Sequence, residues 1–348
     1  HLFCEKHQID ACFSYNYFSL LASGCHTRNI FYFSFIYDSP CIQLFSYTAM
    51  YDTNRIFSFD SAIVERFRNG GLKHIYYMTL PANTKKWNHL ATLVHNTNRS
   101  VSDLSFVGAL YDEQHNLYDD KLHLDNHLYL KGYLNGIMDA QSMIYGYNFI
   151  EDMLTPDILA SLQSISPYVP NKDSIVSDSY VYAQYFINRK LTQLERRNYL
   201  SAIGEQYGSD YRLHLFTLNQ ESCIPGFQQL GITGYDTEMP YIFHDSKINL
   251  NISLRSITNG IPLRCMDILS AGGFLLTNYQ ADFNMNFIAG EDYDYYENSH
   301  SLLEKIDYYL SHDKERLEIA KNGYHKASLA CNYLTTFQQI FSTMENQN

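Results

Sequence analysis

A chain of 348 residues is long enough for two domains with cores of their own, and 45% apolar against 18% charged residues is the balance of a folded globular protein. The net charge of −12 argues against a nucleic-acid partner, because phosphate contact needs basic surface. No stretch approaches the length of an apolar membrane span, and no signal peptide is visible.

The charge is uneven. Residues 1–97 hold eight Lys/Arg and six Asp/Glu, a balance of +2, which leaves −14 for the remainder and supports a boundary between two domains. The seven cysteines (Cys4, Cys12, Cys25, Cys41, Cys223, Cys265 and Cys331) are odd in number and include no CxxC pair. Buried thiols in a reduced, cytoplasmic setting are the simplest account. Tyrosine is frequent, at 31 residues. Its ring and hydroxyl suit polyhydroxyl ligands, but ordinary half-buried packing explains the count as simply.

In chain order, strands are expected at 9–14, 30–36, 55–59 and 74–78, with helices at 20–27 and 61–67 between them. This alternation argues for a parallel sheet. A polar stretch, 83–102, carries the only tryptophan, Trp87, and reads as a crossover between domains. Leu104–Leu110 then starts a second sheet, with Gly108 permitting close backbone approach. Residues 112–190 read as a helical insertion. Thr192-Gln193-Leu194-Glu195 has the form of a capping box opening a helix to Tyr207. A strand follows at 212–218 and a loop at 231–240. Helices are expected at 302–310, 313–329 and 335–344, the last crossing back to the first domain.

The most informative stretch is Ser246–Thr277. Ile248, Leu250 and Ile252 alternate with polar residues as in a strand. Asn259-Gly260-Ile261-Pro262 is a turn with proline at a helix start, and Ala271-Gly272-Gly273 ends that helix before the apolar strand Phe274–Leu276. Strand ends and helix N-termini are where α/β proteins bind anions. Arg264 in the first turn and Asp267 one turn on would suit a pyrophosphate and a ribose. The plainer readings are a surface salt bridge for Arg264 and a plain surface carboxylate for Asp267.

This stretch resembles the C-terminal signature of GT-B glycosyltransferases, in particular the CgeB-like (spore-maturation-protein-B-like) group. The likeness rests on SKINLN at 246–251, GIPLR at 260–264 and GGFLLT at 272–277. It continues through Ala289–Asp292, Leu303–Leu310 and Ile319–Tyr324, covers 246–341, and is weaker over the first hundred residues. The resemblance implies an α/β protein with two Rossmann-like domains facing across a cleft. Residues 1–97 would form the acceptor side and 98–348 the nucleotide-sugar side, with the insertion at about 112–190. Such a domain begins one or two βα units before this chain does, so a shortened N-terminus is expected.

The implied activity is transfer of a sugar from a nucleotide donor, UDP or another nucleoside diphosphate, to a saccharide, protein or other cell-surface acceptor. Arg264 would offset diphosphate charge and Asp267 would reach the ribose. Asn251, Lys247, Tyr235, Gly108, Gly272 and Gly273 would flank the donor, with Glu238 and Met239 near the base. Many retaining relatives carry a glutamate eight residues before the ribose carboxylate. Here that position is Asn259, which leaves the stereochemistry unassigned and keeps open a non-catalytic binding module. A sugar-nucleotide epimerase is a third reading, without a matching carboxylate and histidine set. Asp38, directly after a strand, is either a base toward the acceptor or the cap of an Asp-Ser-Pro turn. Tyr15 and Asn16 end the neighbouring strand. His26, His74 and His244 stand alone and read as structural. Asp292-Tyr293-Asp294 matches the DxD metal pattern literally, but so short a match in an expected surface loop is weak, and a metal-independent reaction is expected.

Overall fold

The computed structural model describes residues 9–93, 99–112, 116–219 and 223–343. Cys4 and the end of the last expected helix lie outside them. Two parallel sheets organise the chain. The first has β1 (Ala11–Tyr15), β2 (Phe31–Ile36), β3 (Asn54–Ser58) and β4 (Ile75–Tyr77) in that order. Between them run α1 (Ser19–Thr27) and α2 (Ser61–Asn69). The aromatic run FYFSFI makes β2 a buried strand on both faces, as a central parallel strand should be. Asp60 caps α2 by accepting from the Ala62 N–H at 3.0 Å.

The second sheet has six strands in the order β10-β9-β8-β5-β6-β7. They are β5 (Leu104–Val107), β6 (Leu213–Phe216), β7 (Gln228–Gln229), β8 (Ile248–Asn251), β9 (Leu275–Asn278) and β10 (Asp294–Tyr296). The chain leaves β5 toward β6 on one side and returns to β8 on the other. The crevice outside the carboxyl ends of β5 and β8 is therefore the topological switch point. The 83–102 crossover contains α3 (Thr84–Leu90), capped by Asn83. One apolar cluster joins the sheets, from Phe33, Phe35 and Phe57 through Val107 and Phe216 to Leu269, Leu275 and Ile340.

The insertion packs around an apolar cluster that also takes in Phe45, which precedes β3. It contains α4 (Leu117–Lys121), α5 (Leu128–Ser142) and α6 (Pro156–Ile165). Next, α7 (Asp178–Val181) passes through a π turn, Tyr182–Ile187, into α8 (Asn188–Tyr207). This corrects the expected boundary at Thr192. The Thr192 hydroxyl bonds back to the Asn188 carbonyl at 2.8 Å and accepts from the Arg255 N–H at 2.9 Å, and Glu195 is ion-paired with Arg255. The sequence pattern of a capping box thus serves a tertiary contact inside one long helix.

The 231–240 segment also differs from expectation, since α9 (Met239–Asp245) begins inside it. After β8 come α10 (Leu263–Ser270), α11 (Ser299–Ser311), α12 (Asp313–Ala330) and α13 (Tyr333–Ser342). Phe337 and Phe341 of α13 pack on Phe13 and Phe33 of the first sheet. Asp292 and Asp294 do not lie in a surface loop. Both are buried, Asp292 paired with Lys326 and Asp294 with Lys305.

Candidate functional site

The lead-in to α10 sets the site. Pro262 occupies its N-cap position with φ −61° and ψ 150°, and no side chain caps the first turn. Gly260 just before it presses on the first sheet. A Cβ there would stand 2.7 Å from the Phe59 carbonyl oxygen and 2.9 Å from the Asp60 Cα. The same contact is held by Asp60, which accepts from the Thr258 N–H at 2.8 Å and the Asn259 N–H at 3.2 Å. Asp60 is fully buried, and burial pushes its carboxyl up to about 6 against the pull of the Thr258 N–H. Asp282 mirrors it by accepting from the Ser61 N–H (2.9 Å) and hydroxyl (2.5 Å), and burial raises its carboxyl too. The Asn259 amide donates to the Ser61 hydroxyl at 3.1 Å, while its Oδ1 is buried with no partner among the described residues.

One turn into α10, three of the expected residues meet. The Tyr235 hydroxyl donates to Asp267 at 2.8 Å, and Arg264 Nη1 reaches the other Asp267 oxygen at 3.2 Å. Arg264 also contacts Met239 Sδ at 2.6 Å and lies 5.4 Å over the Phe243 ring. Burial raises the Asp267 carboxyl, opposed by the Arg264 charge and the Tyr235 hydroxyl. Beside this cluster is a cavity of about 200 Å³ lined by Asn83, Lys86, Trp87, Tyr235, Asp267 and Tyr333. Lys86 lies 4.5 Å over the Tyr235 ring and pairs with Asp236. The cavity thus brings an ammonium, two carboxylates and four aromatic rings together beside α10, and the Arg264 guanidinium is bonded to one of those carboxylates, Asp267. That set can hold an anionic group, a diol and a planar ring at once.

The other expected residues fall elsewhere. Lys247 precedes β8 at its amino end, where it pairs with Asp103 at 3.0 Å, on the sheet edge opposite the crevice. Asn251 is buried and braces Ser253 and Thr277 at 3.0 and 2.9 Å. Gly108 follows β5 at the crevice, and a Cβ there would meet the Phe106 ring at 3.4 Å and Arg196 at 3.5 Å. Gly272 holds φ +74°, and a Cβ on Gly273 would lie 2.4 Å from the Phe243 carbonyl oxygen, so both serve the turn and its packing. Glu238 pairs with Arg99 at 2.8 Å. Asp38 is exposed after β2 and accepts from Asn16 Nδ2 at 2.6 Å. It does not line the Asp267 cavity. Sequence reasoning missed Lys86, Tyr333, Asp60 and Asp282. Asp60 carries an N-cap signal before α2, but its partners lie some two hundred residues away.

Residues 193–342 match the protein-family model described as "Glycosyl transferase-like". Among curated proteins, none matches the chain. Solved structures do resemble it. The sucrose-phosphate synthase of Thermosynechococcus elongatus shares 8% identity at a TM-score of 0.52, covering 99% of this chain and 75% of that one. Anabaena HepE in complex with UDP shares 10% at 0.51, covering 99% and 80%. The UDP-forming α,α-trehalose-phosphate synthase of Burkholderia xenovorans shares 12% at 0.51, covering 97% and 74%. At such identities the likeness shows the fold, which is α/β of the GT-B type with parallel sheets. No helix among the described residues is long and apolar enough to cross a membrane.

Proposed function

We propose that the protein is a glycosyltransferase that takes a sugar from a nucleoside diphosphate donor, UDP being the first candidate, and that it stands near the CgeB-like group. The observation that carries this reading is the meeting of Arg264, Asp267 and Tyr235 beside the Trp87 cavity, within the segment that matches the glycosyltransferase family model. Anabaena HepE, a structure of the same fold, is in complex with UDP. In this reading Asp267 accepts ribose hydroxyls, and the rings of Tyr235 and Trp87 face the base. Arg264 exchanges its Met239 contact for the diphosphate and offsets the charge on the leaving group. The reaction proposed is metal-independent, and equal turnover in EDTA and in magnesium is the check on that part.

Trp87 is the only tryptophan in the chain, so its fluorescence reads the cavity directly. Titration with UDP, GDP, ADP and their sugars is expected to change Trp87 emission for one nucleotide. The matching donor is then expected to release that nucleotide when an acceptor is supplied. No fluorescence change and no thermal stabilisation with any nucleotide would sink the proposal. A second reading, a binding module without turnover, is favoured by the amide at Asn259 where many retaining relatives carry a carboxylate. It predicts the fluorescence change without sugar transfer.

A further inference from the structure

A second groove, of about 590 Å³, opens on the far side of the Asn259 loop. One wall is α2 of the first sheet, with Glu65, Arg66 and Asn69. The other is the helical insertion, with Tyr147, Asn148, Glu151, Asp152 and Gln184. Ser256, Thr258 and Asn259 form the floor. We infer that this groove, built jointly by α2 and the insertion, binds a neutral saccharide as the acceptor. The inference rests on the transferase reading.

Three observations carry it. The first is charge. Among the described residues Arg66 is the only cation of the lining, and Glu151 takes it in a two-point bond of 2.7 and 2.9 Å. Glu65 and Asp152 leave the groove acidic, which repels phosphorylated or carboxylated sugars. Carboxylates and amides instead accept from neutral hydroxyls. The second is the helix itself. Gln184 sits in the π turn Tyr182–Ile187, and a π turn inside an α-helix is commonly retained at a functional site. An amide chain fixes Gln184, since Asn148 donates to Asn188 at 2.8 Å and Asn188 donates to Gln184 at 3.0 Å. Such a brace preorganises the groove for hydrogen bonding. The third is the orphaned Asn259 Oδ1 at the floor. That oxygen is shielded from the groove as it stands, and a small turn of the Asn259 side chain toward the groove would let a ligand hydroxyl satisfy it. Tyr147, exposed at 59%, offers a ring face for a sugar at the groove mouth.

The test uses the full chain and saturation-transfer NMR with methyl glycosides of glucose, galactose, mannose and N-acetylglucosamine, alongside glucose 6-phosphate and glucuronate. At least one neutral glycoside is expected to bind and the two anions to bind at least tenfold more weakly. Glu65→Lys and Asn69→Lys change exposed positions on α2, so the fold should persist, and each is expected to weaken the neutral probe at least tenfold. The Trp87 response to nucleotide should remain in both variants. Preferential binding of the anions, absence of binding by every neutral probe, or unchanged binding in both lysine variants would overturn the inference. Those outcomes with the Trp87 response intact would leave the nucleotide reading standing. Loss of the Trp87 response in the parent protein would sink the nucleotide reading instead.

Discussion

At the scale of single residues, charge placement decides the expectations. Arg264 is held by one carboxylate at 3.2 Å and one thioether, a set that can be exchanged for phosphate oxygens. Arg264→Ala should weaken nucleotide binding about 10- to 100-fold, the value of one or two charge-assisted hydrogen bonds. The titration midpoint of Trp87 emission measures it, and an unchanged midpoint removes Arg264 from the site. Asp60 makes a different prediction. Its folded carboxyl titrates near 6, above the ordinary 3.8, so the folded state binds the proton more tightly than the unfolded chain does. That stabilisation is complete below about pH 4 and is lost as pH rises through 6, a change of roughly 3 kcal/mol. Asp282, which faces it and is also raised, adds in the same direction. Asp60→Asn removes the Asp60 part. The melting-temperature gap between parent and variant should therefore be larger at pH 5 than at pH 8. A gap that does not change across this range would contradict the assignment.

At the scale of elements, local contacts divide what the sequence could show from what it could not. The Ser246–Thr277 stretch was legible because its signals are local, namely strand alternation at Ile248–Ile252, Pro262 at the helix start and paired glycines at the end. The Arg264–Asp267 pair followed from a spacing of three on one helix. Tyr235 was placed by the resemblance rather than by pattern. The Thr192 boundary failed because a tertiary partner, Arg255, uses the residues that would cap a helix. The Asp60 and Asp282 contacts were invisible because they join segments about two hundred residues apart, and the α2 groove because its walls are 85 residues apart at Arg66 and Glu151. Lys86 was hidden in a crossover that reads as plain polar sequence. The glycines give the corresponding test. Gly273→Ala would drive a Cβ to 2.4 Å from the Phe243 carbonyl oxygen and 2.6 Å from the Asn249 amide, both fixed. A loss of about 1–3 kcal/mol in denaturant unfolding is expected. Gly132→Ala in α5 meets nothing within 4 Å and should instead gain about 0.5–1 kcal/mol. Equal effects of the two would mean that the turn after α10 is not close-packed.

At the scale of the whole molecule, the two sheets are joined by polar contacts as well as by the shared apolar cluster. Asp60 holds the Thr258 and Asn259 amides, Asp282 holds Ser61, Ser39 donates to the Ser256 carbonyl at 3.0 Å, and Asn286 donates to Thr79 at 3.0 Å. All but the Thr79 contact fall on or beside the loop that leads into α10, which lies between the Trp87 cavity and the α2 groove. This polar seam and the apolar cluster around Phe35, Phe57 and Leu269 are two different sets of contacts between the sheets. Amide exchange separates the two. In the parent protein the Thr258 and Asn259 amides should exchange slowly, because a buried carboxylate accepts both. Asp60→Ala leaves them without an acceptor, and the 254–262 segment should exchange at least tenfold faster. The β8 and β9 amides, held in the sheet ladder, should keep the parent rate. Acceleration across β8 and β9 as well would mean that the seam and the core open together. Protection of 254–262 that survives Asp60→Ala would mean that Gly260 packing, not the carboxylate, holds the seam shut.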